Sequence, residues 1–252
     1  MHQTLLARAQ RTQGDPLSSS HQLRFVRSCS SPLSPATMLG IEETFGIPVL
    51  EAYGMTEASH QMSSNPLPPG TRIPGTVGAG TGVEIGIMDD QGAFRDQGSR
   101  GEVVIRGDNV IAAYEGNAEA NETSFTNGWF RTGDEGQLDE SNYLTLTGRI
   151  KELINRSGEK ISPREIDEVL MTHPAVAEAV AFAVPHSTHG EEPGVAVVLN
   201  QEVDEKQLAA HCREHLADFK CPRKIYIVDQ LPKTATGKIQ RRIVAASILG
   251  EK

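Results

Sequence analysis

Cysteine is scarce in this chain. Cys29, Cys212 and Cys221 are its only three, with no Cys-x-x-Cys pair. That argues against a disulfide framework or a zinc ribbon and fits a reducing compartment. Long apolar runs are missing too: nothing approaches the roughly 18 residues of a membrane span. Residues 1–20 hold no apolar leader core. The final Gly250-Glu251-Lys252 is not a peroxisomal tripeptide. A cytoplasmic location is the expectation. Positive charge is also in deficit, with 24 Lys and Arg against 33 Asp and Glu, a net charge of -9. General nucleic-acid binding is therefore not expected. There is no internal repeat and no low-complexity tract.

What is present is globular: 38% hydrophobic and 23% charged residues, long enough for one large or two ordinary domains. Residues 1–20 are polar and Ser-rich, so little order is expected there. Leu23 to Pro35 reads as a strand entering a Ser/Pro loop, Ala36 to Phe45 as a short helix, and "GIPVLEAYG" as a strand. From about residue 70 glycines recur, and short β-forming runs ("VEIGIMD", "EVVIRG", "GQLD", "YLTLTG") alternate with turns. This predicts hairpins in a small distorted barrel. After Arg149 the pattern changes. "ISPREIDEVLMTHP" predicts a helix with Ser162 as cap, Pro163 in the first position and Glu165 completing a capping box. Strands, a helix from Asp204, a strand at "KIYIVD" and a closing helix follow. Residues 152–252 thus read as a separate βαββαβα unit.

Four stretches carry groups suited to chemistry. In "YGMTEASH", Tyr53 offers a flat face for a base, and Gly54 permits close backbone approach. Thr56 offers a hydroxyl to phosphate oxygens, and Glu57 a hard oxygen to Mg²⁺. In "FRTGDEG", Asp134 has two acceptor oxygens, matching a ribose diol; Thr-Gly-Asp alone equally suits a hairpin turn. In "GRIKELINRSGEKISP", Arg149 can reach a ribose or phosphate. Lys151 stands at the change of pattern, and Ser157-Gly158 makes a small-residue turn. In "LPKTATGKIQRR", Lys238 follows a Thr-Gly pair and can swing in to neutralise a carboxylate or phosphate; such a loop equally suits solvated surface.

Taken in this order, "YGMTE", "FRTGD", "GRIKELINRSGEKISPREIDEVL" and "PKTATGKIQRR" resemble the later core motifs of the adenylate-forming superfamily of acyl-CoA synthetases, adenylation domains and luciferases. The resemblance spans nearly all of residues 22–250. "RSCSSPLSP" and "EAYGMTEASHQMSSNPLPPG" look most like the oxalate–CoA ligases of plants and fungi. It implies a mixed α/β and β-rich fold. Residues 1–149 would be the C-terminal part of the large domain, α/β plus distorted β-barrel. Residues 150–252 would be a small α+β lid with its hinge near Lys151.

The resemblance also implies an ATP-dependent acyl-CoA ligase that uses ATP, Mg²⁺, CoA and a small carboxylic acid. By motif, Tyr53 stacks on adenine, Thr56 contacts the α-phosphate and Glu57 assists Mg²⁺. Asp134 and Arg149 hold the ribose, Lys238 bridges carboxylate and phosphate, and Gly158 lines the pantetheine tunnel. Ser30 and His60 would face the second carboxylate of a diacid such as oxalate, although His60 can also simply cap its turn. The family's Ser/Thr/Gly-rich phosphate loop ending in Pro-Lys-Gly is not found in this sequence. The expectation is a C-terminal half of such a ligase, weak ATP binding, and self-association through an exposed cut surface or union with a separate N-terminal piece. An aryl or medium-chain acid ligase, and a non-catalytic fragment that at most binds AMP or acyl-AMP, are the alternatives.

Overall fold

The computed structural model describes residues 2–11, 21–234 and 239–250. The chain forms two compact units, Met1–Leu146 and Thr147–Lys252. The division falls three residues before the Arg149 boundary read from the sequence pattern.

The first unit opens with helix α1 (His2–Arg11) where little order was expected. Composition misled because the polar Ser-rich residues follow the helix rather than fill it. Leu5, Leu6 and Ala9 recur at helical spacing and pack on Met38, Ile41 and Phe45. Helix α2 (Pro35–Phe45) starts where Ser34 accepts a bond from the Thr37 amide, and stops at left-handed Gly46. Strand β1 (Val26–Ser28) runs parallel to β2 (Val49–Tyr53). The pairs β3 (Ser63–Ser64) and β4 (Ala79–Gly80) extend that sheet antiparallel. Every residue of β2 is buried, so it reads as a continuous apolar run with one buried acid. That acid, Glu51, accepts the Leu33 amide at 3.0 Å.

The second sheet is an antiparallel half-barrel in the order β5 (Glu84–Met88), β6 (Gly101–Arg106), β8 (Trp129–Leu138), β7 (Phe125–Thr126), with β9 (Leu144–Arg149) beside β8. A short helix, α3 (Ala118–Ser124), is capped by Asn117. Tyr53, Met62, Val77, Ile87, Val103, Ile105, Phe130 and Leu144 share one core. The end of β2 is therefore packed against the half-barrel.

The second unit begins with a hairpin of β10 (Ile154–Arg156) and β11 (Glu159–Ile161). Then come α4 (Pro163–Met171), the long hairpin β12 (Val176–His186) and β13 (Gly190–Leu199), α5 (Glu205–His215), β14 (Lys224–Ile227) and α6 (Arg241–Leu249). The expected capping box on α4 does not form. Ser162 is the cap residue, but its hydroxyl donates to the Thr147 carbonyl. Glu165 instead grips Lys220 with both oxygens, at 2.7 and 2.8 Å. A capping box forms on α5, between Asp204 and Gln207. One sheet face packs Ile166, Leu170, Leu208 and Cys212; the other packs Phe182, Leu231 and Val244. Among the described residues no helix is long and apolar enough to cross a membrane.

Candidate functional site

Strand β2 delivers Tyr53 and Gly54 into a turn whose backbone crosses itself. A Cβ on Gly54 would lie 1.2 Å from the His60 carbonyl oxygen. The close approach that a glycine allows is taken here by the chain itself. Thr56–Ala58 forms one 3-10 turn, and Ser59 and His60 then adopt left-handed φ values of 50° and 82°. Such conformations persist in non-glycine residues when surroundings hold them. Here Asn109 holds them. Its side-chain NH₂ donates to the carbonyls of Ala58 and Gln61, at 2.9 and 3.3 Å, and its backbone carbonyl accepts from Ser59 Oγ. Tyr114 donates its hydroxyl to Glu57 Oε1 at 3.0 Å. Burial, followed by that carboxylate, raises the Tyr114 phenol above its ordinary pKa. Asn109 and Tyr114 escaped the sequence reading: each is a lone polar residue in a loop, about 50 positions from its partner.

The Thr132-Gly133-Asp134 segment lies inside β8, not in a hairpin turn. The pairs Glu102↔Glu135 and Val104↔Arg131 leave these three residues opposite Val103 alone. This is a bulge, and Gly133 takes φ 72° within it. Thr132 Oγ1 donates to the Val103 carbonyl at 2.8 Å and accepts the Asp134 amide at 3.1 Å. The bulge carries Asp134 to Tyr53, whose hydroxyl donates to Asp134 Oδ2 at 2.5 Å. Both are buried, with 9% of Tyr53 and 6% of Asp134 exposed. Thr56, His60 and Ser30 are exposed, while Gly54 and Glu57 are half-buried. Ser30 is also left-handed, at φ 73°.

In the second unit Arg149 ends β9, and Lys151 lies in a 3-10 turn, Ile150–Glu152; both side chains are exposed. Glu152, beside Lys151, accepts Arg241 Nε at 3.0 Å. The same guanidinium reaches Asp167 Oδ2 at 2.9 Å and the Ala181 carbonyl. Burial pushes the Asp167 carboxyl up to about 6, against the pull of Arg241. Gly158 sits at φ 95° in the β10–β11 turn. That turn is tied to His189, whose carbonyl accepts the Ser157 amide at 2.9 Å. Lys238 lies outside the described residues; Lys233 and Ile239 pair on either side of it.

Among the described residues of this unit, two groups have metal-ligand chemistry: His186, His189 and Glu192, and His211, Glu214 and His215. In the first, His186 Nδ1 accepts two backbone amides at 3.2 Å, and Glu192 is engaged by Arg156 at 3.5 Å. That puts the neutral ring's proton on Nε2 and opposes metal ligation there.

Residues 1–115 match the AMP-binding enzyme family, and residues 165–238 match the AMP-binding enzyme C-terminal domain. The chain belongs to the AMP-binding enzyme family. A probable CoA ligase of Humulus lupulus is 56% identical over 91% of this chain and 44% of its own length. The oxalate–CoA ligase of Arabidopsis thaliana is 51% identical over 99% of this chain and 48% of its own length. Among solved structures, o-succinylbenzoate coenzyme A synthetase from Bacillus subtilis, in complex with ATP and magnesium ion, superimposes with a TM-score of 0.83 at 33% identity. It covers 96% of this chain and 50% of its own. The chain spans about half the length of the curated relatives it matches. The mixed α/β architecture, with its half-barrel sheet and separate C-terminal unit, is that of these family members.

Proposed function

We propose that this chain contributes the ribose-binding, acid-binding and lid parts of an ATP-dependent acyl-CoA ligase acting on a small diacid such as oxalate. The observation that carries the reading is the Tyr53–Asp134 pair beside the Thr56–Glu57 turn. The Tyr53 hydroxyl ties the segment 53–57, which carries a hydroxyl at Thr56 and a carboxylate at Glu57, to the Asp134 carboxylate 81 positions away.

The acid's carboxylate attacks the α-phosphate of ATP, forming acyl-AMP and releasing pyrophosphate. The CoA thiol then attacks the acyl carbon and releases AMP. Asp134, with its hydroxyl partner Tyr53, accepts the ribose hydroxyls, and Arg149 assists. Tyr53 stacks on the adenine. Thr56 contacts the α-phosphate. Glu57 supplies a hard oxygen to Mg²⁺, which neutralises phosphate charge when bound. Exposed His60 and Ser30 supply donors to the second carboxylate, which an apolar pocket could not stabilise. Residues 150–252 act as the lid with Lys151 at the hinge. The lid presents Lys238 for adenylation and the Gly158 turn for thioester formation.

A second reading is a non-catalytic piece that binds AMP or acyl-AMP. Exposed Leu23, Leu39 and Leu67 on the first unit suit association with another polypeptide.

Mass spectrometry of AMP and acyl-CoA separates these readings. The chain is supplied with ATP, Mg²⁺, CoA and oxalate, coumarate or octanoate. Oxalyl-CoA alone supports the first reading; AMP binding without turnover supports the second. Octanoyl- or coumaroyl-CoA formed as readily as oxalyl-CoA rejects the diacid pocket.

A further inference from the structure

Asp134 stands on a stretch of β8 that cannot use the regular ladder. Three residues face Val103 alone, so their backbone groups need other partners. Glu102 supplies one. Its Oε1 accepts the Gly133 amide at 2.9 Å. Its Oε2 accepts Arg131 Nε at 2.7 Å. Arg131 is held in turn by the Asp89 carbonyl at 3.1 Å and by Thr126 Oγ1 at 3.3 Å. The pair is largely buried, with 10% of the Glu102 side chain and 14% of the Arg131 side chain exposed. Charge-assisted bonds at such a position are stronger and more directional than neutral ones.

The geometry points to Glu102, gripped by Arg131, as the positioning residue for the Asp134 carboxylate. This rests on the reading of Asp134 as the ribose ligand. Glu102 fixes Gly133 in its left-handed conformation, and that conformation directs the next residue to Tyr53. Two acceptor oxygens are required, one for the amide and one for the guanidinium. Glutamine has one acceptor, and its NH₂ would meet the donors of Arg131. Neither Glu102 nor Arg131 belongs to the residues assigned to substrate.

The test compares AMP with 2′,3′-dideoxy-AMP in equilibrium titrations of the full chain, alongside thermal unfolding. In the wild type, loss of the diol is expected to weaken binding about tenfold or more, as for hydrogen bonds to a charged group. In Glu102→Gln the ratio should fall to within about twofold while the dideoxy affinity is retained. Arg131→Lys, which keeps the charge and loses the fork, should give an intermediate ratio and serves as the measurement if Glu102→Gln does not fold. A variant that keeps the full wild-type ratio overturns the inference. So does one that weakens both nucleotides equally, since that marks a merely structural role. A wild-type chain that does not bind AMP, or does not distinguish the two nucleotides, rejects the ribose reading of Asp134 and the inference with it. The wild-type titration alone reveals that case.

Discussion

Tyr53 donates its hydroxyl to Asp134 at 2.5 Å across 81 residues of chain. The bond joins the end of a parallel strand to the bulge of an antiparallel one. Tyr53→Phe keeps the ring in its core and deletes only the donor. A bond to a charged acceptor is worth about 1.5–3 kcal/mol. The variant should lose about that much stability in urea unfolding and should weaken AMP binding measured by titration. An unchanged midpoint would show that the bond adds nothing.

Gly54 and Gly46 predict unequal costs for the same substitution. A methyl at Gly54 meets the His60 carbonyl at 1.2 Å, whereas nothing lies within 4 Å of one at Gly46. Gly54→Ala should cost more than about 4 kcal/mol, because backbone must move. Gly46→Ala meets only the left-handed φ of a helix end and should cost about 1 kcal/mol. Thermal midpoints of the two variants provide the comparison; equal shifts would contradict the crossing.

His60 carries the substrate prediction. His60→Gly removes the imidazole and suits φ 82°, so it should be as stable as the wild type or more so. His60→Ala should be less stable than His60→Gly by about 0.5–1 kcal/mol. If His60 faces a second carboxylate, both variants should impair oxalate use far more than use of a monoacid, read from product formation. Equal losses on both acids would reject the pocket assignment.

Asp167 predicts a pH dependence. Its carboxyl titrates at about 6 in the fold and returns to about 3.9 when unfolded. The folded chain therefore holds more protons between about pH 4 and 6. Stability falls as pH rises through that window and levels off above it. Asp167→Asn should abolish the slope. Arg241→Met leaves the carboxylate buried without its cation and should destabilise by about 3–5 kcal/mol at pH 7. Urea midpoints followed by circular dichroism from pH 4 to 8 measure both effects.

The elements legible in the sequence were those with a local cause. The apolar run of β2 ends at a glycine, and Pro163 opens α4. The misses have non-local causes. The α4 capping box failed because Thr147 and Lys220, both remote in sequence, compete for Ser162 and Glu165. Helix α1 was hidden by the polar residues after it, and its apolar stripe has meaning only against α2. Around the candidate site, the chemical types at Tyr53, Glu57 and Asp134 stood out in short motifs. Their supports did not. Asn109, Tyr114, Glu102 and Arg131 are ordinary polar residues until the fold brings each to its partner.

The left-handed backbone at His60 also limits how this turn can change over evolutionary time. A residue at φ 82° tolerates glycine, asparagine, aspartate or histidine far better than valine, isoleucine or threonine. If position 60 borders the acid, drift toward bulkier or branched groups there is blocked by the main chain rather than by the ligand. New acid preferences would then have to arise at neighbouring positions with ordinary backbone, leaving residue 60 to alternate among a few small or polar choices.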